Sequence, residues 1–532
     1  MMHILIRKIV AVVLFCTPVI RVANAQSTAD WINGFPDGCT TITVGRAGTA
    51  DGSVITSHTD DSHRTRSSVE IVPPMDYPRG ATTDMYRRVN DDTKAMPSYA
   101  YVKTGEIPQV PNTFGFINSA YPCMNQYQLG IGESTFGGRP ELRSEAGLID
   151  CQDLIRLMLE RCRTAREAIL LARGMLAQYG WNDSGECLTI ADKTEVWHLE
   201  IVGPGKGKTG AIWVAQRVPD NHVSVNANAS TIKEVNPDDQ ANFLVSDNLY
   251  EVAKANGWWN EYETFRFCYA YAPESRTSLA SRRREWRVFD LLAPSLKLDP
   301  NAENYPFSVK PDKPVTKEIL VKVFSDYYEG TDFNFIKDLT VTDDQGKTII
   351  SPMANPFMPY DMNKLFRING GWGWMGERTI ARWYTMYATI IQCRSWLPDD
   401  VGGIAWFALD NVATSVYIPI FSGVTDLPQS YKVDGRVTGF SNESAWWAFN
   451  RLGTLAAQRW GDMRKDVDSV WLPMQREIFR STTELEGLLQ NVTSPLERRS
   501  TLTEYTINWG NEVVKRAWKL GDLLWTKYDE KF

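Results

Sequence analysis

Asp37-Gly38-Cys39-Thr40-Thr41-Ile42-Thr43-Val44 decides how this chain is read. From Cys39 onward the residues alternate as in a half-buried strand. Asp51-Gly52 follows as a hairpin turn, and Ser53 to His58 reads as the return strand. Such a hairpin brings Cys39 and Asp61 to one sheet edge. A cut between Gly38 and Cys39 would leave a thiol and an α-amine on one residue. The unperturbed α-amine has a pKa of about 7.7–8.0, so it accepts the thiol proton near neutral pH. Cys39 is therefore the candidate nucleophile. A lone cysteine in a strand is otherwise a small buried hydrophobe, and the junction before it decides between the two readings.

Residues 1–25 have the form of a signal peptide. Arg7 and Lys8 precede an apolar run from Ile9 to Ile20, and Ala23-Asn24-Ala25 has the small-x-small cleavage pattern. That run is shorter than the roughly 20 residues that span a bilayer. Leu14-Phe15-Cys16 is a poor lipoprotein box. Residues 26–38 would be a propeptide. The expectation is an exported protein, periplasmic or secreted, with no membrane segment in its mature form.

The 532 residues are 43% hydrophobic and 23% charged, an ordinary globular composition with room for a large core. A net charge of -7 argues against nucleic acid as a partner. No Cys/His cluster has zinc spacing, so no metal and no cofactor is expected. Export permits disulfides, but the spacings of the eight cysteines match no compact framework. Cys151 and Cys162 read as lying on neighbouring helical segments.

Further strands are expected near Val69–Val72, Phe114–Asn118 and Gln128–Glu133, then a helical block from Asp150 to Tyr179. Thr164-Ala165-Arg166-Glu167 forms a capping box inside that block. Strands return at Cys187–Ala191, Val196–Ile201 and Ala211–Ala215. Strands, helices, then strands indicate an α+β layered domain. Residues 300–316 read as a surface connection, and the last ninety as mostly helical.

Seven motifs occur in order: C-T-T-I-x-V-G from Cys39, D-G-S-V-x-x-x-x-x-D-D from Asp51 and N-x-Y-x-L-x-I-G-E-S-T from Asn125. G-E-C-L-x-I-A-D-x-x-E-V-W-x-x-E from Gly185 and I-W-V-A-Q-R-V-P-D from Ile212 follow. Tyr328-Glu329-Gly330-Thr331 and Leu397-Pro398-Asp399 with Gly402-Gly403 complete the set. On these the chain, from Cys39 to about residue 480, resembles the dipeptidase A-type cysteine dipeptidases of the N-terminal-nucleophile (Ntn) hydrolases. Secernin is a relative; bile salt hydrolase and penicillin V acylase are more distant ones.

The resemblance implies an αββα sandwich with helical insertions and a helical C-terminal region. It divides the chain into a catalytic core at 39–300, its continuation with insertions at 301–440, and helices at 441–532. It implies self-cleavage at Gly38–Cys39, a dipeptide or small-peptide substrate and a homo-oligomer. Two alternatives stand beside the dipeptidase: an N-acyl amide hydrolase of the bile salt hydrolase and penicillin V acylase type, or a non-catalytic secernin-like scaffold. A papain-like protease lacks its C-G-S-C-W-type signature here.

Site roles come over with the same resemblance. Cys39 matches the nucleophile, and Asp61 matches the carboxylate that holds its free amine. Asn228 matches an oxyanion-hole asparagine, with Asn226 close by. Thr135 stands where the relatives carry another asparagine. Arg282 matches an arginine that lowers the thiol pKa, in a register left open by Arg283 and Arg284. His58 replaces an arginine. Asp60 is a turn residue or part of the site. Glu133, Glu186 and Glu200 are substrate-amine ligands or structural hydrogen-bond acceptors. Trp372, Trp374 and Trp383 read as core.

Overall fold

The computed structural model describes residues 37–62, 64–91, 98–356, 378–437 and 439–531. The leader, residues 26–36 of the expected propeptide, Trp372 and Trp374 lie outside the described residues. Two antiparallel sheets form the centre. The first runs Ser308–Val309, Val223–Asn226, Gly38–Val44, Val54–Asp61, Thr385–Cys393, Ile404–Leu409 and Ile418–Phe421. The second runs Phe243–Val245, Ile212–Arg217, Val196–Val202, Gly185–Ala191, Gly130–Phe136, Met124–Asn125, Phe116–Asn118 and Glu70–Val72. The Gly38–Val44 and Val54–Asp61 strands lie against Gly130–Phe136 of the second sheet.

These two strands are buried at every position, not half-buried. Their alternate hydroxyls are the reason the sequence reads as amphipathic. They are spent on bonds between the sheets. Thr43 Oγ1 meets His198 Nε2 at 2.9 Å, and Thr56 Oγ1 meets Thr189 Oγ1 at 2.7 Å. Burial pushes the His198 imidazole down to about 3, so it sits there neutral. Buried polar groups are tolerated when hydrogen-bonded, and here they fix how the sheets face each other. The approach is close: a Cβ on Gly132 would collide with the Ser57 carbonyl oxygen.

Helices cover both outer faces. Cys151–Arg161 and Ala165–Tyr179 bring Leu154, Met158, Ile169 and Leu176 onto Leu188, Ile190 and Leu199 of the second sheet. Each such fully buried aliphatic side chain contributes about 2 kcal/mol. The expected capping box is formed: Thr164 accepts from the Glu167 amide and Glu167 from the Thr164 amide. On the first sheet, Ala445–Gln458, Trp460–Leu489 and Pro495–Lys527 share a core with the Ile404–Leu409 and Ile418–Phe421 strands. The chain is thus α+β, with helices outside two stacked sheets and a helical C-terminal region.

Two readings change. Cys151 opens a single helix and Cys162 caps its other end, so they do not lie on neighbouring segments. All seven described cysteines are free and buried. Residues 300–316 are not only a connection, because Ser308–Val309 pairs with Val223–Asn226 at the sheet edge. Among the described residues no helix is long and apolar enough to cross a membrane.

Candidate active site

Cys39 is the second residue of its strand and lines a cavity of about 1070 Å³. It is held at three atoms. Its amide donates to Asn228 Oδ1 at 3.0 Å, its thiol donates to Glu133 Oε2 at 3.3 Å, and its carbonyl accepts from Arg284 Nη1 at 2.7 Å. The hairpin register sets Gly38 opposite Asp61 and Cys39 opposite Asp60.

Asn228 follows the Val223–Asn226 strand in a left-handed conformation, φ 57°, which asparagine adopts more readily than most residues. Its amide NH donates to Ser134 Oγ at 2.9 Å, and its Nδ2 donates to the Thr135 carbonyl at 2.7 Å. Asn226 instead closes the turn through its Nδ2 to Ala229 O at 2.6 Å. Of the two asparagines, only Asn228 reaches Cys39. The Thr135 hydroxyl is turned to Glu133 Oε1 at 2.9 Å. The donors read as oxyanion groups, Thr135 Oγ1 and Asn228 Nδ2, are therefore both engaged by protein acceptors.

Arg282 does not reach the nucleophile. Its Nη1 donates to Ala302 O at 2.6 Å and Asn301 O at 3.3 Å, and Arg283 binds Pro300 O. Arg284 takes the place by Cys39, adding Thr40 Oγ1, Ala227 O and Asn228 Oδ1 at 2.9–3.0 Å. The three arginines sit on the Leu279–Leu292 helix. About 100° separates successive residues there, so side chains two apart point to nearly opposite sides.

Arg378 was not foreseen. Its guanidinium pairs with Asp61 Oδ2 and donates to Asn228 Oδ1 at 3.3 Å. Thr385 Oγ1 donates to the other Asp61 oxygen at 2.6 Å. Asp61 therefore reaches the junction through Arg378, while the Cys39 amide goes to Asn228. A Cβ on Gly38 would fall on the Arg378 guanidinium and within 2.7 Å of Asn228 Oδ1. Arg378 is 317 residues from Asp61 in sequence, and no local motif marks it.

The profile of Peptidase family C69 matches residues 38–472. The chain belongs to peptidase family C69. The match opens one residue before Cys39 and spans every site residue described above. Similar proteins include a Probable dipeptidase A of Streptococcus pyogenes serotype M3 (strain SSI-1), 23% identical over 81% of this chain and 85% of its own length. A Probable dipeptidase B of Lactococcus lactis subsp. lactis (strain IL1403) is 24% identical over 74% of this chain and 76% of its own. A Dipeptidase A of Lactobacillus helveticus is 21% identical over 79% and 81%.

In this C69 chain the charges that act most strongly on the sulfur are negative. Burial, then Glu133, Asp60 and Asp61, push the Cys39 thiol well above its ordinary value. This reverses the expectation that an arginine would lower it: Arg284 binds oxygens, not sulfur. Asp60 is pushed up to about 7 by burial, against the pull of His58 and Arg88. His58 stands edge-on to Tyr121 and Tyr387, its Nε2 3.4 Å from Glu133 Oε2. Burial and the charges of Glu133 and Asp183 push Glu186 well up. Burial pushes Glu133 up too, but His58, Glu186 and Thr135 outweigh it and hold Glu133 below the usual range. The pair thus favours the charge on Glu133 and the proton on Glu186.

Donor atoms of Cys39, His58 and Glu133 lie within 4.8 Å of one another, as do those of Glu133, Cys151 and Glu186. These are the places among the described residues where a cation would find a ligand set. Glu200 is structural, accepting from Ser230 Oγ and the Thr231 and Ile232 amides. That buries Ser230 of the Asn228-Ala229-Ser230 glycosylation pattern. Trp383 packs against the core and edge-on to Tyr384, which lines the cavity.

Proposed function

We propose that the chain is an exported dipeptidase that frees its own nucleophile by cleavage between Gly38 and Cys39. The observation that carries this is the grip on one peptide unit. Arg378 presses on Gly38, Asn228 Oδ1 holds the Cys39 amide, and the Cys39 thiol opens on the cavity beside Glu133. Sulfur attacks the Gly38 carbonyl carbon while Glu133 takes the thiol proton. The Cys39 nitrogen leaves with that proton, and an N-to-S acyl shift gives a thioester. Water then hydrolyses the thioester to the Gly38 carboxylate and a free thiol.

Processing changes the proton chemistry at Cys39. The new α-amine takes over as base for the thiol. Thiolate attacks a substrate carbonyl, the leaving amine takes the proton, and water resolves the acyl-enzyme. Loss of the Gly38 carbonyl side also frees the space beside Arg378 for the substrate. Arg87, Arg88 and Arg143 line the cavity together with Asp60, Asp183 and Glu186. Charges of both signs fit a zwitterionic dipeptide better than a steroid amide, and the similar C69 proteins carry the name dipeptidase.

Intact mass and N-terminal sequencing of the wild type beside Cys39→Ala test this first. The wild type is expected to begin at Cys39 and the variant to keep residues 26–38. A wild type that begins at Gln26 ends the self-cleavage mechanism. A panel of dipeptides against conjugated bile salts and penicillin V then tests the substrate class.

A further inference from the structure

We propose that Glu186, supported by Glu133 and Asp183, receives the α-ammonium of the substrate and so presents its first peptide bond to Cys39. This rests on the dipeptidase reading and supplies what that reading lacks, a reason for the position of the cut.

Covalent geometry sets the requirement. A peptide's α-nitrogen lies about 2.5 Å from the carbonyl carbon of its own residue. An anion that holds the amine during attack on the first bond must therefore sit next to the sulfur. Glu133 Oε2 is 3.3 Å from Cys39 Sγ. Carboxylate oxygens of Glu133 and Glu186 lie within 4.8 Å of each other, and Glu186 lines the cavity that Cys39 opens on.

The acceptors around this spot are mostly spoken for. Glu133 takes the Thr135 hydroxyl on Oε1 and the Cys39 thiol on Oε2. Asp183 takes the Cys151 and Ser184 amides at 3.1 and 2.8 Å, and Asp150 caps the helix through the Asp153 amide at 2.9 Å. Glu186 and Asp60 are different: each is 2% exposed, lines the cavity and has one carboxylate oxygen, Glu186 Oε2 or Asp60 Oδ2, with no hydrogen-bond partner among the described residues. Of the two, it is Glu186 whose carboxylate lies within 4.8 Å of Glu133's. A buried polar oxygen without a donor is costly and calls for an explanation. An ammonium brings three donors and one positive charge, which is what a carboxylate backed by two more carboxylates lacks.

The protonation state fits the same role. In the empty site burial and the charges of Glu133 and Asp183 push Glu186 up, which favours its protonated form. An arriving ammonium replaces that proton as the neutralising charge, and the proton leaves to solvent. Substrate binding is then proton-linked, and KM rises as the pH falls.

The test compares a free dipeptide with the same dipeptide N-acetylated, using processed wild type and Glu186→Gln. Charged hydrogen bonds of about 1.5–3 kcal/mol correspond to a preference of roughly 10- to 150-fold in kcat/KM for the free amine. Glu186→Gln is expected to raise KM for the free dipeptide about tenfold or more, with kcat less affected, and to shrink the preference to a few-fold. Mass spectrometry of Glu186→Gln at the Gly38–Cys39 junction, which does not involve the substrate amine, reports that the fold and nucleophile survive. Equal rates on free and acetylated dipeptide in the wild type overturn the proposal, as does an unchanged preference in a self-cleaved Glu186→Gln. A wild type that cuts itself but hydrolyses no dipeptide removes the dipeptidase reading instead, and this proposal with it.

Discussion

Arg284 grips the Cys39 carbonyl and Arg378 the side-chain oxygens of Asn228 and Asp61, whereas Glu133, Asp60 and Glu186 stand about the Cys39 sulfur and the cavity beyond. The two groups are a few ångströms apart and do different work. The cations fix where the Gly38–Cys39 unit and Asn228 sit. The carboxylates decide where protons reside. A cation near a cysteine is usually read as a device for making thiolate. Here burial and carboxylates push the thiol up instead, and in the proposed mechanism activation waits for the amine that cleavage would create.

Breaking the cation side should have the largest effect. Arg378→Met leaves Asp61, fully buried, without its charge partner. Stranding a buried charge costs about 3–5 kcal/mol. The variant should unfold at lower denaturant and stay uncut, read by urea melts and intact mass. If it cuts itself at the wild-type rate, the cation side does not position the junction.

The carboxylate side should appear as a pH effect on stability. Asp60 titrates at about 7 in the fold against about 3.9 in an unfolded chain. A folded value raised above the unfolded one gives stability that is complete below the unfolded value and lost as pH rises through the folded one. The wild type should therefore lose stability between about pH 4 and 7, by about 4 kcal/mol at full linkage. Asp60→Asn should lack that component. Parallel pH profiles for the two proteins would mean that Asp60 is not held neutral by its burial.

The two sides also differ in how far the sequence reveals them. Cys39, the hairpin after it and the Thr164 capping box are local, so short-range pattern and turn chemistry find them. Arg378 reaches Asp61 across 317 residues, and only the tertiary fold joins them. Arg282, Arg283 and Arg284 are alike in sequence, and helical phase alone chooses among them. Thr385–Cys393 and Ile404–Leu409 are buried at every position. They carry no alternation, so apolar runs of this kind do not declare themselves as strands. Glu133 sits in a recognisable motif, but that it touches sulfur follows from the stacking of the two sheets.

Gly38→Ala sharpens the comparison from the cation side without removing a charge. The added Cβ falls on the Arg378 guanidinium and crowds Asn228 Oδ1, so the scissile carbonyl and the sulfur lose their register. Displacement of reacting groups by about 1 Å costs on the order of 100-fold. Self-cleavage of this variant, followed by mass spectrometry over time, should slow by about that factor. A wild-type rate would show that the glycine is not required by what surrounds it.

That slow precursor is also the host in which to measure the smallest effect. Glu133 is the largest charge contribution holding the Cys39 thiol up, after burial itself. Glu133→Gln keeps the side chain's size and an acceptor oxygen but removes the charge. In the Gly38→Ala background the pH curve for alkylation of Cys39, followed by peptide mapping, should move to lower pH, with faster labelling at a given pH below the midpoint. Arg284→Lys in the same host should leave the curve nearly in place, because that cation is bound to carbonyl and amide oxygens. If the arginine variant moves the curve more than the glutamate variant, the division of labour between cations and carboxylates at Cys39 is wrong. The thiol would then be under the control of the charge that the sequence first pointed to.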